Sequence, residues 1–373
     1  MKPLSLYIHI PFCARKCAYC DFASWPGREA LWPLYFSALE AELSSWGPAL
    51  ADRTVTTVFF GGGTPSLPEA AQIAHLLEAA RGAFAFAAAP EITLEANPGT
   101  LTPEKLTVYR AAGVNRLSLG VQSFDDGLLR ALGRIHTAQE ARDAVTLARE
   151  AGFHNLNVDL MYALPGQTMA QWADTLAQAV RLGVPHVSAY SLIVEDGTPM
   201  AARVATGEAV LPDEETVVSM QRLATRTFRE AGLERYEISN YARPGYICRH
   251  NYAYWTRGEY LGLGCAAHSL IDETRFQNPA DLDAYLAGSR ALERQALSPE
   301  DQREECIMLS TRTTRGLSLD EYARATGEHL EEKKRAALHA LCREGLLELD
   351  GGYLRLTEKG LELQNAVVLA LLD

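Results

Sequence analysis

Up to about residue 240, short apolar runs alternate with segments whose apolar residues recur at helical spacing. The runs Leu4–His9, Thr54–Phe60, Glu91–Ala96, Arg116–Gly120, Leu156–Met161 and His186–Ser191 predict β-strands. Between them, Trp32–Ser45, Pro68–Ala83, Thr102–Ala112, Ala138–Ala151 and Ala170–Leu182 predict helices. Gly113, Gly152 and Gly183 stand where a left-handed residue closes a helix, and Thr102-Pro103-Glu104 reads as an N-cap followed by Pro at the first helical position. Strand–helix repeats of this length imply parallel strands joined by right-handed crossovers. Six such units predict an α/β fold, an open, partial (β/α)6 TIM-like barrel, with a doubly wound sheet as the other architecture. In a barrel the chemistry gathers at the C-terminal ends of the strands.

The pattern then changes. Residues 235–295 read as irregular and rich in aromatics. From Pro299 the chain predicts helices at Ser318–Thr326 and Leu330–Glu344, a hairpin of Leu346–Leu349 and Tyr353–Leu356 turning at Gly351-Gly352, and a last helix over Thr357–Leu369. Two helices and a hairpin resemble a winged helix. The expected organisation is a barrel over 1–240, an aromatic connecting region over 241–295 and a smaller C-terminal, helical, winged-helix-like domain over 296–373. The apolar run Ala366–Leu372 is expected to pack on its own domain.

Composition narrows the function classes. The chain is 47% hydrophobic and 22% charged, which suits a globular protein with a sizeable core. A net charge of −12 without a basic stripe argues against nucleic acid as a partner, the C-terminal domain included. No stretch approaches 18 continuous apolar residues, and the first residues are too short and too polar for a signal peptide, so a cytoplasmic protein without a transmembrane segment is expected. A peripheral membrane contact, and either a monomer or a dimer, remain compatible with the sequence. Seven Cys, an odd count, fit a reducing compartment rather than a disulfide framework.

Three of those cysteines, Cys13, Cys17 and Cys20, lie within eight residues. Thiolates this close can share one metal centre, either zinc or iron–sulfur. Structural zinc wants four closed ligands, and no fourth Cys or His lies suitably near downstream. Three ligands instead leave one iron of a [4Fe-4S] cubane open. The turn Gly61-Gly62-Gly63-Thr64-Pro65 follows a predicted strand directly, where bare backbone can approach a ligand closely. Polar residues recur at later strand ends: Glu95, Gln122 and Asp159, with Arg134 on an intervening segment.

Cys-x3-Cys-x2-Cys, with Tyr19 before the last Cys, resembles the radical SAM superfamily signature. The resemblance implies a [4Fe-4S] cluster on Cys13, Cys17 and Cys20 whose open iron is chelated by S-adenosyl-L-methionine, the source of radical chemistry on reduction. It also implies that Tyr7, Tyr19, Phe22, Gly62, Gly63, Thr64, Glu95, Gln122, Arg134 and Asp159 surround that cofactor, with Glu95 a candidate acceptor for a ribose hydroxyl and Asp159 or Arg134 for the charged groups.

Within the superfamily, residues 7–13 (Tyr-Ile-His-Ile-Pro-Phe-Cys), 120–124 (Gly-Val-Gln-Ser-Phe) and 159–168 (Asp-Leu-Met-Tyr-Ala-Leu-Pro-Gly-Gln-Thr) resemble the branch of oxygen-independent coproporphyrinogen III oxidase. Two departures stand out. The oxidase has a further Cys where this chain has Phe22, and it carries an N-terminal extension before the first strand. Both departures match the HemW-type haem chaperones, relatives of the oxidase. His250-Asn251-Tyr252-Ala253-Tyr254-Trp255 resembles the haem-associated motif of that group. Haem takes an axial ligand and flat aromatic surface, which His250 with Tyr252, Tyr254 and Trp255 would supply. Cys248 is an alternative ligand. The other reading of the motif is an aromatic segment packed under the barrel with His250 merely hydrogen-bonded.

Two functions follow from the resemblance. One is a chaperone that binds haem and delivers it to acceptor haemoproteins, with porphyrin metabolism as its setting. The other is an enzyme, either the radical decarboxylation of coproporphyrinogen III or a further radical SAM reaction; Phe22 and the aromatic His motif weigh toward the first.

Overall fold

Alternation along the strands sorts the barrel into an outer apolar face and an inner polar one. In the computed structural model, which describes residues 1–288 and 294–372, the first strand, β1 (Lys2–Ile10), buries Leu4, Leu6, Ile8 and Ile10 in the main hydrophobic core. Ser5, Tyr7 and His9 occupy the alternate positions and turn the other way. The same division runs through β2 (Arg53–Gly62), β3 (Ala85–Ala96), β4 (Arg116–Gln122), β5 (Asn155–Tyr162) and β6 (His186–Ser191). Core residues such as Leu94, Leu117, Leu119, Val158 and Val187 alternate with Glu95, Arg116, Ser118, Asp159 and Ser188. Helices cover the apolar face, as a parallel sheet requires; they are α1 (Trp32–Trp46), α2 (Ala70–Ala83), α3 (Pro103–Ala112), α4 (Asp126–Leu132), α5 (Ala138–Glu150) and α6 (Met169–Leu182). Their ends carry the expected caps: the Thr102 hydroxyl accepts from Lys105 N at 3.2 Å, and Gly113 and Gly183 adopt left-handed backbone.

The six strands β1 to β6 are parallel neighbours in chain order, as the repeat pattern predicts. Beyond β6 come α7 (Pro199–Ala205), α8 (Glu214–Glu230) and an antiparallel strand β7 (Asn240–Ala242) on the β6 edge. The described residues of the 235–295 region are not irregular. They hold α9 (Arg249–Trp255), then β8 (Tyr260–Leu263), which pairs parallel with β1 and adds a seventh parallel strand, then a hairpin of β9 (His268–Ile271) and β10 (Thr274–Gln277) that carries the sheet onward. Strands of four residues are too short to display a period, and the pairing of Ser5 with Tyr260 joins residues too distant in sequence to be legible.

The C-terminal segment has its own core, with Leu338, Leu354, Val367 and Leu371 at its centre. The preceding α10 (Leu282–Leu286) packs on the barrel; the segment's own elements include α11 (Pro299–Ser310), α12 (Leu319–Thr326) and a three-stranded sheet built around the Gly351-Gly352 hairpin. The single helix expected over Leu330–Glu344 is interrupted at Lys334, and that expected over Thr357–Leu369 at Leu363. Neither break carries Gly or Pro. Val367, Val368 and Leu371 are buried, and no helix among the described residues is long and apolar enough to cross a membrane.

Candidate functional site

Two cavities open side by side at the C-terminal ends of the parallel strands. The first, about 380 Å³, is lined by Cys13, Cys17, Cys20, Tyr19, Phe22, Gly62, Gly63, Thr64, Glu95, Gln122, Arg134 and Asp159. Every residue that the signature places around the cofactor therefore lies on this cavity, with one exception: Tyr7 does not, and lines the second cavity instead. Its hydroxyl donates to His9 Nδ1 at 2.9 Å, while His9 Nε2 donates to the Ala23 carbonyl, so the ring pair is fixed on the neighbouring side.

The cysteine loop is pinned by backbone bonds from Ala18 N to Leu132 O and from Met200 N to Ala18 O. The glycine turn is just as constrained. Gly62 has φ of 109°, and a Cβ there would overlap the His9 ring. A Cβ on Gly63 would meet the Phe12 backbone at 2.7 and 2.8 Å. Side chains are excluded from both positions, so backbone is what faces the cavity. Gln122 also has positive φ, 64°, a strained backbone for a residue with a Cβ and one found mostly at functional positions.

A chain of polar contacts ties the thiols to the strand ends. The Thr64 hydroxyl lies 3.7 Å from Cys13 Sγ and accepts from Asn97 Nδ2 at 3.0 Å. Arg134 donates to Cys17 Sγ at 3.6 Å, to Asn97 Oδ1 and to the Gly120 carbonyl, both at 2.5 Å. Asn97 is thus a central member that sequence reasoning missed. Its signal was available: it stands two residues after Glu95, just past the strand end and ahead of Pro98.

Glu95 and Asp159 sit on the inner wall. Burial, reinforced by the Asp159 charge, pushes the Glu95 carboxyl up to about 8, although Gly62 N donates to it at 3.2 Å. Burial likewise raises Asp159, whose oxygens accept from Asn157 and Ser118 at 2.8 and 3.1 Å. Three cations, Arg15, Lys16 and Arg134, line the same cavity as these two carboxyls.

The donor set fits an iron–sulfur cluster with a chelating cofactor. Three thiols with an arginine beside them suit a thiolate cluster, and the bare backbone of Gly62 and Gly63 leaves room for a ligand against the open iron. Cys13, Cys17 and Cys20 would hold the cluster, whose chemistry when bound is reductive cleavage of S-adenosylmethionine.

The second cavity, about 620 Å³, adjoins the first across Phe22, Gly62 and Glu95, which line both. Its other walls are Tyr7, Tyr254, Trp255, Tyr260, Arg257, His268, Leu270, Arg275 and Leu309. Tyr254 meets Tyr260 edge to face at 4.7 Å, and Phe22 stands 63% exposed at the shared rim.

The aromatic His motif divides between this wall and the core. Tyr254 and Trp255 face the cavity, whereas Tyr252 packs on Tyr236. His250 is wholly buried: Nδ1 bonds the Thr57 hydroxyl and Nε2 the Tyr254 hydroxyl, both at 2.8 Å. Burial, with Arg116 nearby, lowers it to about 3, so the ring is neutral and committed to structure. The expectation of His250 as an axial ligand is corrected accordingly; it lines neither cavity. Cys248 is excluded on the same ground, being fully buried against Glu91 with its thiol pushed up to about 12.

Comparison with known proteins decides the family. Residues 7–179 match the radical SAM superfamily and residues 297–363 the HemN C-terminal domain. The chain is 39% identical over 338 residues to the heme chaperone HemW of Haemophilus influenzae, covering 88% of this chain and 87% of that one. It is 36% identical to HemW of Escherichia coli, covering 99% and 98%. This chain belongs to the HemW family of radical SAM proteins. Among solved structures it resembles coproporphyrinogen III oxidase (HemN) of Escherichia coli, with a TM-score of 0.86 and 27% identity over 99% of this chain and 90% of that one. A [4Fe-4S] cluster and S-adenosylmethionine follow from family membership.

Proposed function

We propose that this member of the family binds haem beside its cluster site and hands it to acceptor haemoproteins. The observation that carries the reading is the second cavity: aromatic on several sides, within the range of about 300–1,000 Å³ usual for cofactor sites, and sharing a wall with the cluster cavity. A tetrapyrrole needs flat apolar surface for its macrocycle and a cationic group for its propionates, and Tyr254, Trp255, Tyr260 and Arg275 supply both kinds. Phe22 supports the same reading, since it puts an apolar ring at the shared rim where the oxidase has a cysteine. The names of the relatives point the same way.

The fold likeness to HemN favours a second reading, radical decarboxylation of a porphyrinogen in the same cavity. One anaerobic experiment separates the two. The reconstituted protein is titrated with haem by visible absorption, mixed with an apo-haemoprotein, and incubated with coproporphyrinogen III and S-adenosylmethionine. Stoichiometric haem binding and transfer without turnover is the expected result. Decarboxylation above a cluster-free control, with no haem transfer, would replace the chaperone reading by the enzymatic one.

A further inference from the structure

With His250 unavailable, the second cavity holds one imidazole open to a ligand. His268 lies on β9, exposed and lining the cavity, and among the described residues its ring hydrogen-bonds to no protein group. The register of the hairpin explains what surrounds it. Leu270 pairs with Tyr260 on one side and with Arg275 on the other, so Tyr260, Leu270 and Arg275 form one row across the sheet. His268 is two residues from Leu270 and therefore projects from the same face. That face is the cavity wall.

Arg275 is only partly occupied. One of its terminal nitrogens pairs with Glu305 at 3.0 Å on α11, while its Nε is buried with no partner. Arg257, by contrast, is already engaged by Glu273 and Glu305 at 2.6 and 3.0 Å. The indole N–H of Trp255, on the same cavity, is a second buried donor without an acceptor. Buried donors are rarely left unpaired, and two at one cavity call for an acceptor from outside the chain. The charge pattern adds direction: burial and the Arg275 charge lower the His268 pKa, which keeps its imidazole neutral, as metal ligation requires.

Resting on the haem-binding reading above, we infer that His268 is the axial ligand of haem iron in this cavity and that Arg275 pairs with a propionate. Haem would lie against the Tyr260–Leu270–Arg275 row, with Tyr254 and Trp255 on a neighbouring wall and Leu309 of the C-terminal segment closing the space. His250 then acts as a positioning residue, holding the Tyr254 hydroxyl from beneath.

The test is a haem titration of the full-length, cluster-reconstituted protein and of its His268→Ala, Arg275→Gln and His250→Ala variants, each checked for fold by circular dichroism and for the cluster's visible absorption. His268→Ala is expected to shift the Soret band and weaken binding about tenfold or more, with added imidazole restoring the wild-type spectrum. Arg275→Gln is expected to weaken haem about tenfold while leaving the affinity for haem dimethyl ester unchanged, because the ester offers no carboxylate. In His250→Ala the Soret position should stay that of wild type. A folded His268→Ala protein with an unaltered Soret band and affinity overturns the assignment while leaving haem binding intact. Failure of the wild type itself to bind haem would instead remove the reading on which the assignment rests.

Discussion

The two adjoining cavities are built on opposite terms. The cluster cavity is lined by contiguous motifs, the cysteine loop and the glycine turn, and by single polar residues at strand ends. It is internally cross-linked and held by backbone that tolerates no side chain at Gly62 or Gly63. The second cavity draws on β1, α9, β8, the β9–β10 hairpin and α11, and keeps donors at Arg275 and Trp255 unpaired. A resident cofactor favours a pre-formed cradle, whereas cargo that must leave favours a site with fewer committed bonds.

The sharpest way to break this comparison is Cys17→Ser. It should abolish the cluster's visible absorption entirely while the haem Soret band persists; loss of both together would show one site rather than two. Gly62→Ala acts on both cavities at once, since the new methyl would displace His9 at the shared wall. It should lower stability by about 1–3 kcal/mol, read in a denaturant melt, and weaken both S-adenosylmethionine and haem.

His250→Ala separates support from ligation. Removing the ring strands the Thr57 and Tyr254 hydroxyls and should cost about 1–3 kcal/mol. Because the wild-type ring is lowered from about 6.5 to about 3, the unfolded chain takes up its proton first as pH falls. Stability from this group is thus complete above about pH 6.5 and falls as pH drops toward 3, and melts of the variant should lack that slope. The smallest effect is expected from Glu95→Gln in cofactor-free protein. The native carboxyl titrates near 8 and the unfolded one near 4.5, so wild-type stability declines as pH rises across that window. The amide should flatten the decline; an unchanged slope would mean that Glu95 is ionised in the folded protein.

The same contrast explains what could be read from sequence. The six parallel strands announced themselves because apolar core residues alternate with polar ones in short runs such as Leu117-Ser118-Leu119, and the cluster residues because Cys13, Cys17 and Cys20 sit at a diagnostic spacing. The placement of Tyr7 escaped because it depends on which face of a strand meets which cavity. His268 and Arg275 carry no motif at all. They converge only once β8 pairs with β1 and a short hairpin is laid beside it. His250 shows the converse: a motif residue whose position in the chain suggested a ligand, while packing under β2 gives it a structural task.

Adjacency of the two sites is the claim on which the rest depends, and electron paramagnetic resonance tests it most directly. The reduced cluster of the reconstituted protein is recorded before and after one equivalent of ferric haem. Cavities that share Phe22, Gly62 and Glu95 predict a broadened, faster-relaxing cluster signal once haem is bound. A cluster signal unchanged in width and relaxation, with haem fully bound by visible absorption, would place the haem elsewhere and contradict the account.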